Sequence, residues 1–380
     1  MNIIKNKKIA IVGGGPGGLT LARLLQISGA DVKVYERDPS KDARKQGATL
    51  DLHEESGLKA LQEAGLMDAF TANFRPGAEQ MHIMDKQATT LFKDQPRTTE
   101  EISRPEIDRG PLQQILLDSL EPGTVVWNSH FESLTPQDGS WKLTFKNGLF
   151  ALADLVIAAD GANSKLRPYI TPVKPFYTGI TVVEGMVYHS ETACPKMHKL
   201  LDGGKIFAMG DDKTLIVSSK GDGSLAFYTS SKTDESWCRT TGIDLSDKTQ
   251  VLDWFNAEYA GWNSVYQELF ENAAVPFVIR PMYCMPLDQT WDALPNLTIL
   301  GDAAHLMPPF AGEGVNMAML DALELSNCLT GSDFSDLTTA IAAYEQQMRK
   351  RAAIAAKESL ESSDALHSPD AIPFIMQVVN

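Results

Sequence analysis

Three short segments of the chain combine glycine with acidic or polar side chains directly after apolar runs. The first segment reads GGGPGG, matches the pattern GxGxxG, and separates the apolar run 8–12 from a helix-like stretch. Glycines at such a position let a pyrophosphate approach the free backbone N–H groups at the start of a helix. Glu36 follows the next apolar run, about twenty residues on, where a carboxylate accepts a hydrogen bond from a ribose hydroxyl. This spacing predicts a bound adenine dinucleotide, held by Gly13, Gly15, Gly18 and Glu36.

The carboxylate of Glu36 also bears on which dinucleotide binds. A negative charge at this position would repel a 2′-phosphate, so the site favours FAD or NAD over NADP as the resident group. Without the glycines, Glu36 would instead be interpreted as the solvated end of a strand.

The other two segments also follow apolar runs that have the character of strands. DGANSKLR at 160–167 follows ALADLVIAA, and GDAAHLMPPFAGEGVN at 301–316 follows the run 297–300 and precedes a helix-like stretch. Either segment alone is also consistent with an ordinary strand–loop–helix connection. Three such strand ends at the carboxyl edge of one parallel sheet predict a single long ligand lying across that edge.

The elements that must position these segments alternate between strand and helix patterns. Residues 8–12, 17–28 and 31–36 form a strand–helix–strand unit, which predicts parallel strands. From about 176 to 285, short alternating strands separated by Gly/Asp turns predict an antiparallel sheet. A helix at 338–361 and an amphiphilic helical stretch at 372–379 close the chain.

The fold class that we predict is α/β: a Rossmann-like, discontinuous dinucleotide-binding domain interrupted by an antiparallel β-sheet substrate domain, with a C-terminal helix. The predicted dinucleotide-binding domain comprises residues 1–74, 100–175 and 286–335. The predicted substrate domain comprises residues 75–99 and 176–285. The helical segment 336–380 is expected to bridge the two domains.

Composition excludes several classes of function. The chain has 380 residues and a net charge of −15, which argues against nucleic acid and anionic membranes as partners. The apolar runs are too short to form a membrane helix, and the N-terminal stretch contains too few apolar residues for a signal peptide. The cysteines are far apart with no CxxC pair, which favours reduced thiols in the cytoplasm and no metal site (Cys194, Cys238, Cys284 and Cys328).

The order and approximate spacing of the three motifs resemble a known family over nearly the whole chain. GxGxxG with Glu36-Arg37, DGxxSxxR at 160–167 and GDAAH…PPFAGEGVN at 301–316 are similar to the class A flavoprotein monooxygenases of the para-hydroxybenzoate hydroxylase type. Within that group, ATLDLHEESG at 48–57, PEIDR at 105–109 and the whole of 301–316 resemble the tetracycline-inactivating monooxygenases.

The resemblance implies non-covalent FAD. Asp302 would bind the ribitol chain, Asp160 would lie near the NADPH and FAD groove, and Arg109 would hold the flavin side. A helix entered through Gly312–Asn316 would direct its N-terminus at the flavin N1–C2=O edge, and a helix N-terminus stabilises negative charge there. The remaining residues of the expected cofactor site are Arg37, Arg44, Asp51, Gly312, Gly314 and Asn316.

Two positions depart from the family pattern. Glu313 stands where many relatives carry Gln, and Gln113 stands where many carry Arg. Both differences make the expected surroundings of the flavin more negative, which would slow or retune its reduction.

The implied reaction consumes NADPH and O2. With a single GxGxxG, NADPH would visit as a transient reductant, and the reduced flavin would pass one oxygen atom through a C4a-hydroperoxide to an electron-rich ring or enol. Because the flavin carries this chemistry, we expect no catalytic side chain and no metal. His305 is a candidate acid–base group, but no partner acid is evident, so a structural role is favoured. We expect a monomer.

The substrate is expected to lie beneath the β-rich domain, in contact with Glu184, Lys205, Pro309 and Gly312. Alternation along ITVVEGMVYH places Glu184 among apolar side chains, facing either a ligand or solvent at a sheet edge. Lys205 either pairs with Glu184 across strands or binds a substrate oxygen.

We predict tetracycline antibiotics as the substrate, and their inactivation, hence resistance, as the function. Hydroxylation of another aromatic or polyketide compound is the alternative. A flavin halogenase is disfavoured because the WxWxIP signature is missing. The hypothesis from a different functional class is a protein that binds a nucleotide without catalysing a reaction.

Overall fold

The computed structural model describes residues 3–43, 49–95 and 102–379. The strands are β1 (Lys8–Val12), β2 (Asp31–Tyr35), β3 (Thr49–Asp51), β4 (Met81–Asp85), β5 (Thr90–Lys93), β6 (Glu106–Asp108), β7 (Val125–Val126), β8 (Phe131–Gln137), β9 (Ser140–Phe145), β10 (Phe150–Ala153), β11 (Leu155–Ala158), β12 (Phe176–Val187), β13 (Lys205–Gly210), β14 (Lys213–Ser219), β15 (Leu225–Lys232), β16 (Ala274–Cys284) and β17 (Leu297–Ile299).

The helices connect and flank these strands. The α-helices are α1 (Pro16–Ile27), α2 (Lys59–Glu63), α3 (Met67–Thr71), α4 (Arg109–Asp118), α5 (Arg167–Ile170), α6 (Ser190–Ala193), α7 (Pro195–Leu201), α8 (Trp237–Thr240), α9 (Lys248–Glu258), α10 (Ser264–Asn272), α11 (Asp302–His305), α12 (Gly314–Thr330), α13 (Leu337–Leu366) and α14 (Ala371–Val378). A π-helical turn at Glu54–Leu58 and a 3-10 turn at Pro309–Ala311 complete the set of described helical segments.

A parallel sheet with the strand order β17-β11-β1-β2-β7 combines strands from the beginning, the middle and the later part of the chain. Strands β1, β11 and β17 are almost wholly buried, which explains why they read as continuous apolar runs. Helices α1 and α12 pack against each other. The ring of Tyr35 on β2 stacks on Phe145 of the separate three-stranded sheet β10-β9-β8, with centroids 4.8 Å apart.

The stretch 151–159, predicted as one strand, is two strands that belong to different sheets. β10 pairs antiparallel with β9, whereas β11 pairs parallel with β1. Asp154 lies between them, and its carboxylate accepts hydrogen bonds from the Lys8 N–H and the Ser140 hydroxyl, both at 2.8 Å. The carboxylate therefore occupies the corner where the chain changes sheets.

A second large sheet has the order β16-β12-β15-β14-β13-β4-β5. The described pairs within 176–285 are antiparallel, as predicted, and β4 from residues 81–85 adds one parallel pair with β13. One side of this sheet packs on an aromatic core that includes Phe227, Phe255 and Phe270. The other side contacts α14 through Phe207 and Met209.

The C-terminal helices contact both large sheets. The hydroxyl of Tyr344 on α13 donates to the backbone oxygen of Ile299 on β17 at 3.0 Å. Beyond the other end of α13, His367 Nε2 lies 2.7 Å from the Ser230 hydroxyl on β15. Helix α14 then packs on β13.

The predicted α/β class is confirmed: the five-stranded sheet is parallel, and the seven-stranded sheet is mixed. Within the described ranges, no helix combines the length and apolar character that crossing a membrane requires.

Candidate active site

The carboxyl ends of four neighbouring strands bring the predicted segments into one row. Backbone hydrogen bonds join Gly13 to Tyr35 at 3.0 Å, Ala159 to Val12 at 2.8 Å and Leu300 to Ala158 at 2.9 Å. Reading across the sheet, Glu36, the glycine loop, Asp160 and Asp302 therefore follow one another along the same edge. The edge includes the point where the connections from β1 change direction, which is where open α/β sheets bind ligands.

The glycines of the first segment serve two different purposes. Gly13 has a φ of +113°, and a Cβ there would lie 2.2 Å from the Ala159 oxygen. A Cβ at Gly18 would lie 2.2 Å from the Gly13 oxygen. Among the described residues, a Cβ at Gly15 would meet nothing within 4 Å, and no side chain caps the start of α1 at this residue. Gly15 thus leaves an open cradle beside free N–H groups, which fits a pyrophosphate.

Glu36 is buried and already holds the glycine loop. Its Oε2 accepts a hydrogen bond from the Gly14 N–H at 2.6 Å, and its Oε1 accepts one from the Asp38 N–H at 2.9 Å. A ribose hydroxyl would use a remaining lone pair of this carboxylate. Arg37, the next residue, is exposed.

Asp160 presents an unpaired acceptor at the same edge. Its Oδ2 accepts from the Lys165 N–H at 2.8 Å, but its Oδ1 is buried and has no hydrogen-bond partner among the described residues. Burial raises the pKa of this carboxyl group above its usual value, against the lowering effect of its hydrogen bonds. A buried acceptor without a partner fits a ligand that supplies a donor.

Arg167 ties the second segment to the third, a role that the sequence pattern did not reveal. Its Nε donates to the backbone oxygen of Ala303 at 2.6 Å, and its Nη2 donates to that of Asp302 at 2.9 Å. The side chain is buried. Because both acceptors are backbone atoms far along the chain, local sequence carries no signal for them.

Asp302 and Arg109 lie close enough to interact electrostatically. Asp302 is exposed as a residue, and its carboxylate makes no hydrogen bond with a described residue. Desolvation by the surrounding protein raises the pKa of this carboxyl group, whereas the charges of His305, Arg109 and Arg167 lower it. The Arg109 guanidinium likewise has no described hydrogen-bond partner, and burial lowers its pKa despite the nearby charges of Asp302 and Glu184. Both groups are available to a ligand.

Asn316 and Gly312 support the loop before α12. Asn316 is fully buried, its Oδ1 accepts from the His53 N–H at 2.9 Å, and its Nδ2 donates to the Asp51 backbone oxygen at 2.9 Å. Gly312 has a φ of +72°, and a Cβ there would lie 3.2 Å from the Asp51 carboxylate. The Asn316 side chain is therefore occupied by protein groups, so only its backbone is left for the cofactor. Gly314 begins α12.

An ionisable cluster that the sequence did not predict surrounds His53. The Nε2 atom of this buried histidine lies 3.1 Å from Asp51 Oδ2, and its Nδ1 lies 3.5 Å from Glu313 Oε1. Burial raises the pKa of Glu313, and Asp51 adds to that effect. For Asp51, His53 and Lys205 outweigh burial and lower the pKa. Glu313, one of the two departures, thus stands at the N-terminus of α12; Gln113 is partly buried on α4.

The predicted ion pair between Glu184 and Lys205 does not form. Their strands, β12 and β13, are separated by β15 and β14, so the two residues are not cross-strand neighbours. Lys205 instead pairs with the buried carboxylate of Glu106, and Arg280 Nε donates to Glu184 Oε2 at 2.5 Å. Lys205 and Glu184 therefore each pair with a residue on a strand other than the one predicted.

The other predicted positions lie around this site or outside the described residues. Pro309 is exposed and begins a 3-10 turn, and the ring of the next residue, Phe310, contacts the His367 ring edge-on, with centroids 5.2 Å apart. Arg44 lies outside the described residues. His305 is buried with a partner acid that the sequence did not show, since its Nε2 lies 2.6 Å from Asp321 Oδ2.

Gly15, Asp160 and Asp302 lie in one row along the sheet edge, and comparison with known proteins identifies the family of the chain. The sequence profile of a family described as "FAD binding domain" matches residues 6–199 and 292–358. Monooxygenase asqM of Emericella nidulans is 32% identical over 370 residues, covering 84% of this chain and 83% of that protein. The chain belongs to this FAD-binding family of flavin monooxygenases.

Solved structures share the fold of this flavin monooxygenase chain. Klebsiella pneumoniae HpxO, complexed with FAD and uric acid, superposes with a TM-score of 0.77 at 23% identity, covering 100% of this chain and 92% of that one. The tetracycline destructase Tet(55) superposes with a TM-score of 0.77 at 21% identity, covering 98% and 94%. At these identities the likeness concerns the fold alone.

Proposed function

We propose that the protein is an NADPH-consuming, FAD-dependent monooxygenase that inserts one oxygen atom from O2 into an electron-rich phenol or enol. The observation that carries the proposal is a row of three features along one sheet edge: the cradle at Gly15, and Asp160 Oδ1 and the Asp302 carboxylate, which have no hydrogen-bond partner among the described residues. Family membership supports FAD as the group that fills this row.

The chain's own residues divide the work of holding the cofactor. The N-terminus of α1 would bind the pyrophosphate, Glu36 a ribose hydroxyl, and Asp302 the ribitol chain. When bound, FAD supplies hydride acceptance from NADPH and oxygen transfer to the substrate. The N-terminus of α12, entered through Gly312 and Gly314, would stabilise negative charge that develops on the ring system.

The substrate pocket would lie between this edge and the second sheet. On the side of that sheet away from the aromatic core, Phe207, Ile216 and Met186 are only partly buried, and Glu184 adds a charge. Such a surface suits a planar, largely apolar ligand with a few polar groups. We propose polycyclic phenols and enols as the class, with tetracycline as the first compound to test and a simpler phenol as the alternative.

Spectroscopy of the purified protein tests the proposal. We expect a yellow protein whose flavin absorbance is bleached by NADPH without oxygen and returns when oxygen is admitted. Bound flavin that NADPH never reduces would instead support nucleotide binding without turnover. Tetracycline should accelerate NADPH oxidation; stimulation by a simple phenol but not by tetracycline would retain the enzyme and reject the antibiotic. Sedimentation equilibrium should show a monomer.

A further inference from the structure

The ion pair of Arg280 and Glu184 leaves most of its hydrogen-bonding capacity unused. Arg280 stands opposite Val182 on the paired strands β16 and β12, two residues from Glu184 along the ladder. Its Nε donates to Glu184 Oε2 at 2.5 Å, and neither its Nη atoms nor Glu184 Oε1 bonds to a described residue. The Glu184 side chain is only 11% exposed, whereas the Arg280 side chain is 54% exposed. The pair therefore offers N–H donors beside one carboxylate acceptor.

The pair faces the proposed substrate space. Neighbouring side chains on the same two strands enter the aromatic core on the opposite side of the sheet (Val183, Val187, Phe277 and Ile279). Side chains alternate along a strand, so Glu184 and Arg280 point away from that core. Arg109 interacts electrostatically with Glu184 and Arg280, and also with Asp302. Tyr228 stands directly opposite Glu184 on β15 and adds a partly exposed ring to this surface.

Lys205 does not offer an equivalent anchor, although the sequence predicted one there. Its ammonium group is bound to the buried carboxylate of Glu106. Using Lys205 for a substrate would leave Glu106 buried without its partner, at a substantial cost in free energy. Arg280 reaches a substrate without breaking its bond to Glu184.

Building on the monooxygenase function above, we propose that Arg280 and Glu184 together anchor the substrate. They select a ring edge that carries an acceptor oxygen beside an N–H or O–H group, as lactams and enolised β-dicarbonyl compounds do. The Arg280 guanidinium donates to the carbonyl or enolate oxygen, and Glu184 Oε1 accepts the adjacent N–H or O–H. A ring with only one of these groups leaves one member of the pair unsatisfied, so it binds more weakly.

Binding of two probes to the FAD-loaded protein tests this anchor. 4-Hydroxy-2-quinolone presents the full edge, and 2-naphthol presents a single O–H on a ring of similar size. We expect the quinolone to bind wild type about tenfold or more tightly than the naphthol by isothermal titration calorimetry. Arg280→Met and Glu184→Met should each erase that preference, while naphthol affinity stays within about twofold. Arg239→Met, at an exposed arginine on α8, is the matched control and should keep the preference.

Several results would overturn the anchor. These are an unchanged quinolone affinity in Arg280→Met, an equal loss for both probes, equal binding of the two probes to wild type, and no binding of the quinolone. Flavin absorbance of each variant shows whether the fold and the cofactor site are intact. If the preference behaves as expected but no ligand stimulates NADPH oxidation, the monooxygenase function fails while the anchor stands.

Discussion

The guanidinium of Arg167 donates from Nη2 to the backbone oxygen of Asp302 at 2.9 Å, joining positions 135 residues apart. A second bond from Nε reaches Ala303 at 2.6 Å. Burial lowers the pKa of Arg167, but Asp160 and Asp302 oppose that effect. The side chain thereby sets where the carboxyl end of β17 lies relative to β11, and so where the Asp302 carboxylate stands.

Replacing Arg167 with Met should misplace Asp302 without removing it. The variant loses charged hydrogen bonds that are each worth about 1.5–3 kcal/mol, and part of that loss should appear in FAD binding. We expect the Kd for FAD, measured by quenching of flavin fluorescence, to rise about tenfold or more. Wild-type affinity in Arg167→Met would show that the two segments are positioned by other contacts.

Gly15 and Gly13 should respond in opposite ways to alanine. A Cβ at Gly15 has open space around it, and its φ of −77° suits alanine, so Gly15→Ala should fold with an unchanged Tm of the apoprotein. The methyl group would intrude on the cradle, so FAD should bind more weakly. Gly13→Ala places a Cβ 2.2 Å from a backbone oxygen and should lower the Tm itself. If Gly15→Ala bound FAD normally, the pyrophosphate would lie elsewhere.

The carboxylate of Asp302 should contribute directly to cofactor affinity. Asp302→Ala removes one charged hydrogen bond to the ribitol, worth roughly 1.5–3 kcal/mol. Flavin occupancy after purification should fall, whereas Asp292→Ala, at an exposed position on the preceding loop, should retain it. Equal occupancy in both variants would mean that the third segment does not contact FAD.

The buried pair of His305 and Asp321 should make stability depend on pH. Burial lowers the pKa of His305, but Asp321 more than offsets this and raises it, so the histidine's contribution is complete below 6.5 and is lost as pH rises through the raised value. For Asp321, burial raises the pKa, but His305 and Arg351 lower it overall. Its contribution is therefore present above 3.8 and is lost as pH falls through the lowered value.

Urea unfolding of the apoprotein at several pH values measures this pair. Asp321→Asn should lose about 3–5 kcal/mol near neutral pH, because it leaves a buried histidine unpaired. The stability difference between wild type and His305→Gln should shrink as the pH rises above 6.5. A difference that stays constant with pH would mean that His305 is neutral in the folded protein.

Local pattern was sufficient for the strand–helix–strand unit and for the row of strand ends. Apolar runs that stop at glycine indicate strands that are buried on both faces of the sheet. Parallel strands bring their carboxyl ends together regardless of the length of chain that connects them. Glu36, Asp160 and Asp302 were therefore recognisable from spacing. Their particular partners were not, because Asp38 and Lys165 donate from backbone N–H groups and Arg167 binds the backbone oxygen of Asp302.

The second sheet was less predictable because its order does not follow the chain. Lys205 was expected to meet Glu184, but two strands separate them, and its partner Glu106 lies 99 residues away. Arg280 lies 96 residues from Glu184 and carried no motif. Alternation indicates which side of a strand a residue faces, but strand order alone decides which charges meet.

Oxygen-isotope labelling of the product tests whether the protein inserts an oxygen atom from O2 into its substrate. Purified protein, FAD, NADPH and tetracycline are incubated under oxygen-18 gas in ordinary water, and a parallel reaction contains a simple phenol instead of tetracycline. The masses of the products are then measured by mass spectrometry. We expect a product that gains one oxygen-18 atom for each NADPH consumed. NADPH consumption that yields only hydrogen peroxide with every compound, or oxygen that comes from water, would contradict it.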